Sequence, residues 1–248
     1  MLTQDIDRRI RPAPAPRTVD TPPALRLLAS LAPLSGAEFE LVRQCARRVE
    51  RVQAGSILHP GGEVATPRLI LAGWACRMRT LPDGRRQILG FLMPGDMIGV
   101  RPGSRRLDMD AVTAVSRVDS ADASPLAVVA EDGTTAYRGL ARAIESSGEL
   151  ELARLLDQLV RLGRQNAYER TAGWLLDVHA RLDRAGLVEK AGFPLPVTQE
   201  VLADALGLSV VHVNRTLQQL RREGLLQLQA GRATLPDRSR LAEIAGRV

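Results

Sequence analysis

PVTQEVLADALGLSVVHVNRTLQQLRREGLLQL, residues 196 to 228, is the stretch whose reading decides the fold. The Thr198 hydroxyl can accept a hydrogen bond from an orphan N–H of the turn that follows, with Gln199, Glu200 and Asp204 in the early turns. A first short helix is therefore predicted over Gln199 to Leu206. Gly207 supplies the left-handed conformation that ends a helix at little steric cost, and Ser209 can cap a second helix two residues later. Helices this close must cross steeply. Ala203 is small enough to sit at the crossing, and Leu202, Leu206, Leu208 and Val213 form the apolar wedge between them. This is helix-turn-helix spacing.

The faces of the second helix separate a reading element from an ordinary helical hairpin. At 100° per residue, Val213, Leu217 and Leu220 share one side. Val211, Arg215, Gln218 and Arg222 point the opposite way, flanked by His212 and Asn214. Arg215 can donate two hydrogen bonds to a guanine edge, Gln218 or Asn214 can pair with adenine, and Val211 can touch a thymine methyl. Arg222 is better placed for phosphate. The alternative is a solvated helix face with no partner, and the next segment weighs against it. Residues 224 to 235, GLLQLQAGRATL, alternate apolar and polar residues around an Ala-Gly turn, as a short hairpin does. A hairpin after such a helix reads as a wing, with Arg232 at its tip against the phosphate backbone.

The run from Thr198 through Leu228, above all LGLSVVHVNRTLQQLRREGLL, resembles the winged helix-turn-helix of the Crp/Fnr superfamily of bacterial transcription regulators. LVRLGRQNAYERTAGWLLDVHARL, residues 159 to 182, is similar to that family's junction between dimer helix and DNA-binding domain. The likeness continues through Gly-punctuated strands between Gly55 and Gly99, so it covers about three quarters of the chain. The DNA-binding part is specific, and the sensor part is looser. Arg215 matches the family's base-reading arginine. Some members carry an Arg-Glu pair near the start of this helix where Val210 and Val211 stand here, so the half-site of those members does not carry over.

A chain of 248 residues with 45% hydrophobic content can fill one large or two medium cores. No apolar run approaches a membrane span, and MLTQDIDRRIRP has no apolar segment of signal-peptide type, so a soluble, cytoplasmic protein without membrane contact is expected. The net charge of +6 favours a polyanionic partner. Lys190 is the only lysine, and an Arg- and Ala-rich chain can also reflect coding bias, so charge serves as support alone. Cys45 and Cys76 cannot by themselves complete a four-ligand iron–sulfur or zinc site, and read first as small buried hydrophobes.

Residues 1 to 23, including RPAPAPRTVDTPP, are expected to form a disordered or semi-rigid arm. Helical sequence follows from Pro22, where Ser35 and Glu38 have capping-box spacing. Between Val49 and Pro125, β-type runs are broken by turn residues, with Pro82-Asp83-Gly84 the strongest signal. Many short strands at near-regular spacing indicate a small barrel or roll. The resemblance implies the double-stranded β-helix jelly roll of cyclic-nucleotide-binding domains.

Nucleotide-binding relatives carry a glutamate for the ribose after the GDMIG-like turn, then an Arg-Ser pair for the cyclic phosphate. Here Val100 stands at the first place and Asp108-Met109 near the second, with Arg101, Arg105 and Arg106 close by. An aspartate repels phosphate, so cyclic-AMP binding is not expected. The N-terminal cysteine cluster of oxygen-sensing relatives is missing, and His59, the nearest candidate for a haem ligand, reads as a strand-end residue. No cofactor and no metal site is predicted. The effector is not identified, and an unrecognised ligand, a redox change at Cys45 or Cys76, or protein abundance alone remain open as the input.

A long helix is predicted from about Thr134 to Leu162, capped by Asp132 or Thr134 and interrupted at Gly148. Leu152, Leu155, Leu159 and Leu162 follow the three-four-three spacing of a two-stranded coiled coil. Leu150 and Leu156 are expected on the other side, towards the roll. The alternative is a helix packed wholly within one subunit. A homodimer is favoured, because a two-fold pair reads two half-sites one helical turn apart. Gly163 is a candidate hinge and Asn166 a helix start, with Trp174, Leu175, Leu176 and Val178 in the next core. Residues 186 to 196 read as a loop or short hairpin, and residues 239 to 245 as a peripheral helix.

The expected fold is α+β: the arm, a sensor roll over residues 24–133, a dimerisation helix over 134–165 and a winged helix-turn-helix over 166–248. The expected function is a dimeric, sequence-specific transcription regulator on a pseudo-palindromic promoter site. It is expected to activate through RNA polymerase. Thr198, Gln199, Ser209 and Arg232 would hold phosphates, while base-edge contacts give specificity. Two alternatives remain: a ligand-independent regulator whose roll is a scaffold, and a jelly-roll metal enzyme. The enzyme would need converging histidines, and His59, His179 and His212 are the three in the chain.

Overall fold

A computed structural model describes residues 21–100, 107–108, 110–132 and 135–247. The arm up to residue 20, the Thr134 cap, Met109 and the three arginines at 101, 105 and 106 lie outside the described residues. Two helices come first, α1 (Pro23–Leu31) and α2 (Gly36–Cys45), the second held by the Ser35/Glu38 capping box. The roll follows: β1 (Val49–Val52), β2 (Ile57–His59), β3 (Glu63–Val64), β4 (Arg68–Ala72), β5 (Ala75–Thr80), β6 (Arg86–Leu92), β7 (Met97–Ile98), β8 (Leu107–Asp108), β9 (Ala111–Ala114) and β10 (Val118–Asp122).

These strands form two four-stranded antiparallel sheets, ordered β1-β10-β4-β7 and β2-β9-β5-β6, beside the pair β3-β8. Ile70, Ala75, Leu92, Ile98, Val112 and Val118 interdigitate between the sheets. The roll is thus formed, as the near-regular spacing of short strands indicates and the family resemblance implies. The Leu81–Arg85 reversal is built as Pro-Asp-Gly suggests: Gly84 N–H donates to Leu81 O at 2.9 Å and sits at φ +83°.

The structure departs from the sequence reading after β10. Residues Ser124–Asp132 form a helix of their own, α3, which the sequence reading left at the end of the strands. A 3₁₀ turn, Thr135–Tyr137, then leads into α4 (Arg138–Arg164). Asp132 therefore ends one helix and does not cap the next. Gly148 does not interrupt α4. It is buried inside the helix and lines the cavity between helix and roll.

The start of α4 is held from outside the helix. Glu38 accepts hydrogen bonds from Ser35 N–H and, at 2.8 Å, from Leu140 N–H, joining α2 to α4 across 102 residues. A Cβ on Gly139 would lie 2.2 Å from Pro33 O, so the approach needs glycine. Burial raises the Glu38 pKa, but the hydrogen bonds from Ser35 and Leu140 outweigh it and hold the carboxyl below its ordinary value. A depressed folded pKa means that this stabilisation is present above the ordinary carboxylate range and is lost as pH falls through the depressed value. Glu38→Ala should cost about 1–3 kcal/mol in urea unfolding at neutral pH. The deficit should shrink in acid, and an unchanged midpoint would remove Glu38 as the tie.

The C-terminal unit comprises α5 (Ala167–Arg184), β11 (Phe193–Pro194), α6 (Gln199–Leu206), α7 (Val210–Arg222), β12 (Gln227–Gln229), β13 (Arg232–Thr234) and α8 (Arg238–Ile244). Asn166 caps α5 with a full capping box. The change of direction comes at Gln165, the extended cap of α4, while Gly163 stays helical. β11 joins the hairpin in a sheet ordered β11-β13-β12. Trp174, Leu175 and Val178 are buried and Leu176 is half-buried. Among the described residues, no helix is long and apolar enough to cross a membrane.

Candidate nucleic-acid interface

The first helix of the reading unit begins where its cap lies. The Thr198 hydroxyl accepts from Val201 N–H at 3.2 Å. The helix ends at Gly207 in the left-handed conformation, φ 62° and ψ 41°. The Ser209 hydroxyl then accepts from His212 N–H and starts α7. Ala203 is buried at the crossing, as its size requires.

On α7, Val213, Thr216 and Leu220 face the core and Leu217 is half-buried. Thr216 is the one inward position that a hydrophobicity pattern misses. Val211, His212, Asn214, Arg215, Gln218 and Arg222 are all exposed. Arg215, Gln218 and Arg222 donate no hydrogen bond and form no ion pair among the described residues, so each keeps its full donor capacity for a ligand. Asn214 and His212 are already engaged: Asn214 Nδ2 donates to Gln199 Oε1 at 3.1 Å, and His212 Nδ1 lies 2.9 Å from Ser209 Oγ. Thr198, Gln199 and Ser209 are exposed at the two helix N-termini, where free N–H groups and the helix dipole favour an anion.

The hairpin has its Ala-Gly reversal, with Ala230 at φ 49° and Gly231 at φ 72°. Arg232 flanks the tip, paired with Gln229 across the Ala230-Gly231 reversal. It begins β13, half-buried, and its guanidinium donates to Gly192 O at 2.5 Å and to Glu189 at 3.1 Å. The two charges offset each other beside the tip of the wing, so Arg232 is already engaged within its own chain.

Several residues that aim α7 left no trace in the sequence pattern. The carbonyls at the end of α6 are orphan acceptors of a helix C-terminus, and distant side chains satisfy them. Gln87 on β6 donates to Asp204 O at 3.0 Å, Gln158 on α4 to Ala205 O at 2.6 Å, and Arg170 on α5 to Leu206 O at 2.9 Å. Arg86 pairs with Asp204 at 2.8 Å. Tyr168 donates from its hydroxyl to Glu223 at the far end of α7, and burial followed by that carboxylate pushes the phenol up to about 12. An edge-to-face series, Trp74–Phe91 at 5.7 Å and Phe91–Trp174 at 5.6 Å, joins the roll to the C-terminal unit. The first helix of the pair, α6, is therefore docked on the roll.

The outer face of α4 differs from the heptad reading. Leu152, Leu156, Leu159 and Val160 are exposed, at 56, 56, 68 and 59%. Leu156 was expected against the roll and instead shares the open stripe, because the helix buries the face of Leu150, Ala153 and Arg161. Leu155 stands at the stripe's edge, 37% exposed. Leu162 packs within its own chain, close to Gly207. The apolar stripe is thus rotated from the predicted seam towards Leu156 and Val160.

Between β6, β7, α4 and α5 lies a cavity of about 390 Å³. Its wall mixes Ile88, Phe91 and Trp174 with Arg154, Asp96 and Asp177. Burial, then repulsion by Arg181, lowers the Arg154 pKa to about 10. Arg181 is bonded to Asp96 and to Phe91 O, and Arg161 to Asp177. Both cysteines are free and buried. Burial pushes the Cys76 thiol up to about 11, and burial with nearby Asp122 raises Cys45, so neither favours the reactive thiolate. His59 lies on β2, His179 on α5 and His212 on α7, three separate elements.

The Crp-like helix-turn-helix domain family matches residues 169–244. The chain is 33% identical over 227 residues to the nitrogen fixation regulation protein FixK of Bradyrhizobium diazoefficiens, covering 90% of this chain and 92% of that one. It is 34% identical over 200 residues to the transcriptional activator protein FnrL of Cereibacter sphaeroides, covering 78% and 79%. The solved structure of FixK2 from Bradyrhizobium japonicum superposes with a TM-score of 0.66 at 27% identity, over 79% of this chain and 96% of that one.

Proposed function

Since this chain belongs to the Crp/Fnr family and is a DNA-binding transcription regulator rather than an enzyme, we propose that it acts as a homodimer on a two-fold promoter site. The observation that carries this reading is the pairing of two unpartnered surfaces in one chain. The outer face of α7 presents Arg215, Gln218 and Arg222 with free donors, and α4 presents a leucine stripe to water. One recognition helix reads only a few base pairs, and two related by a dimer axis read half-sites one turn apart.

In this reading Arg215 takes a guanine edge and Gln218 an adjacent base. Thr198, Gln199 and Ser209 hold phosphates through helix N-termini, and Arg222 adds a phosphate contact further along. His212 and Asn214 act by holding the reading helix as well as by facing the groove. Arg232 serves the wing's own structure first, through Glu189. Leu152, Leu156, Leu159 and Val160 form the seam.

The protein works in the cytoplasm, where promoter DNA is found, and activates by contact with RNA polymerase, as the activator name of its FnrL relative suggests. Cyclic AMP is not proposed as its effector, since Val100, which lines the cavity, stands where nucleotide-binding members carry the glutamate for the ribose. Selection of bound duplexes from a random pool tests the whole reading, with and without cell metabolites. The expected product is an inverted repeat with half-sites about one helical turn apart. Recovery of a single unrepeated site, or of no enriched sequence, would overturn it.

A further inference from the structure

The outward stripe of α7 joins a guanidinium to a bare apolar group. Val211 is 67% exposed, one helical turn before Arg215, and with Gln218 it lies on the same side of the helix. Thirteen residues make up α7 and none is Asp or Glu. The polar groups that share its first turns are held back, His212 by Ser209 and Asn214 by Gln199. Val211 is the most exposed apolar side chain of α7, ahead of Val210 at 39%, and it offers a pair of methyls and nothing else.

In the major groove, the apolar feature of a base edge is the C5 methyl of thymine, while cytosine shows an N4 amine that a carboxylate would accept. This helix has no carboxylate for that amine. The same C5 methyl is also carried by 5-methylcytosine, whose edge otherwise resembles cytosine. Resting on the reading that α7 enters the major groove, we propose that Val211 reads the C5 methyl of the pyrimidine next to Arg215's guanine. Thymine and 5-methylcytosine are accepted there, and the unmethylated pyrimidines are disfavoured. Cytosine-C5 methylation of an operator then converts a weak half-site into a stronger one, a regulatory input that needs no effector in the cavity.

The test uses the full chain and the operator recovered by selection, with affinities measured at one fixed salt concentration. Each pyrimidine of the half-site is made in turn as thymine, uracil, cytosine and 5-methylcytosine. At one position per half-site, thymine to uracil should weaken binding about fourfold, and cytosine to 5-methylcytosine should tighten it by about the same factor. In Val211→Ser both ratios should collapse towards one, and in Val211→Leu they should persist. The proposal is overturned if no position shows the paired effect, or if the effect survives in Val211→Ser. The underlying reading stands apart from it. If wild type prefers operator over scrambled DNA and Arg215→Ala does not, α7 reads bases whatever the methyl series shows. If wild type has no such preference, the groove reading falls and takes the methyl proposal with it.

Discussion

Glutamate at both Leu152 and Leu159 should yield a folded monomer that has lost operator binding by about a hundredfold or more. Both side chains are more than half exposed, so the exchange disturbs little inside one subunit. In the proposed dimer each leucine would face its counterpart across the two-fold axis. Burial of a large apolar side chain contributes roughly 1.5–3 kcal/mol, and two like charges brought together there repel. Linking two reading heads raises the affinity for a double site by a factor on the order of 10² to 10⁴, which separation removes. Sedimentation equilibrium reads the mass, circular dichroism the fold, and footprinting the loss of protection. A dimer mass retained by this variant would mean that α4 is not the seam. Leu162→Ala is the counter-test, since that side chain packs near Gly207 in its own chain. It should lower stability and leave the mass unchanged, the reverse of what a strict heptad seam implies.

Arg215→Ala should abolish discrimination between operator and scrambled duplex. A bidentate arginine–guanine contact carries about 1–3 kcal/mol, and a site with two half-sites loses about twice that. The side chain is exposed and unpaired in the free protein, so its removal takes nothing from the fold. The salt dependence of binding separates this role from charge alone. Arg215→Ala should act on the preferred sequence above all, whereas Arg222→Ala should weaken every duplex alike and flatten the salt slope by about one unit. Titrations at several salt concentrations on both duplexes decide the matter. An unchanged ratio of specific to non-specific binding in Arg215→Ala would move base reading elsewhere on the stripe.

The helix-turn-helix was legible because its determinants are local. Thr198, Gly207 and Ser209 each act within one turn of their own position, and Ala203 with Leu202 and Leu206 needs only 3.6-residue periodicity to be placed inside. The same holds for Asn166 at the start of α5 and for the Ala230-Gly231 reversal of the wing. α3 was missed because Ser124–Asp132 is short and apolar nearly throughout, a pattern that suits a buried strand as well as a helix. Arg232 stands beside the wing's tip, as the local turn signal implies, but its engagement is not legible there, because the carboxylate it meets, Glu189, belongs to a different part of the chain.

By itself, then, the sequence determined the elements, the turn that joins the two reading helices, and the set of side chains pointing away from their core. Caps, glycine conformations and helical periodicity all act between residues a few positions apart. Tertiary structure alone decided which face of α4 stays open, because Leu156 has the same local pattern as Leu150 and differs only in whether a neighbour covers it. It alone decided how α6, and with it the turn into α7, is held, through Gln87, Gln158 and Arg170 on the α6 carbonyls. Those bonds span up to 117 residues of chain, and a polar side chain carries no local mark of the distant acceptor that it will meet.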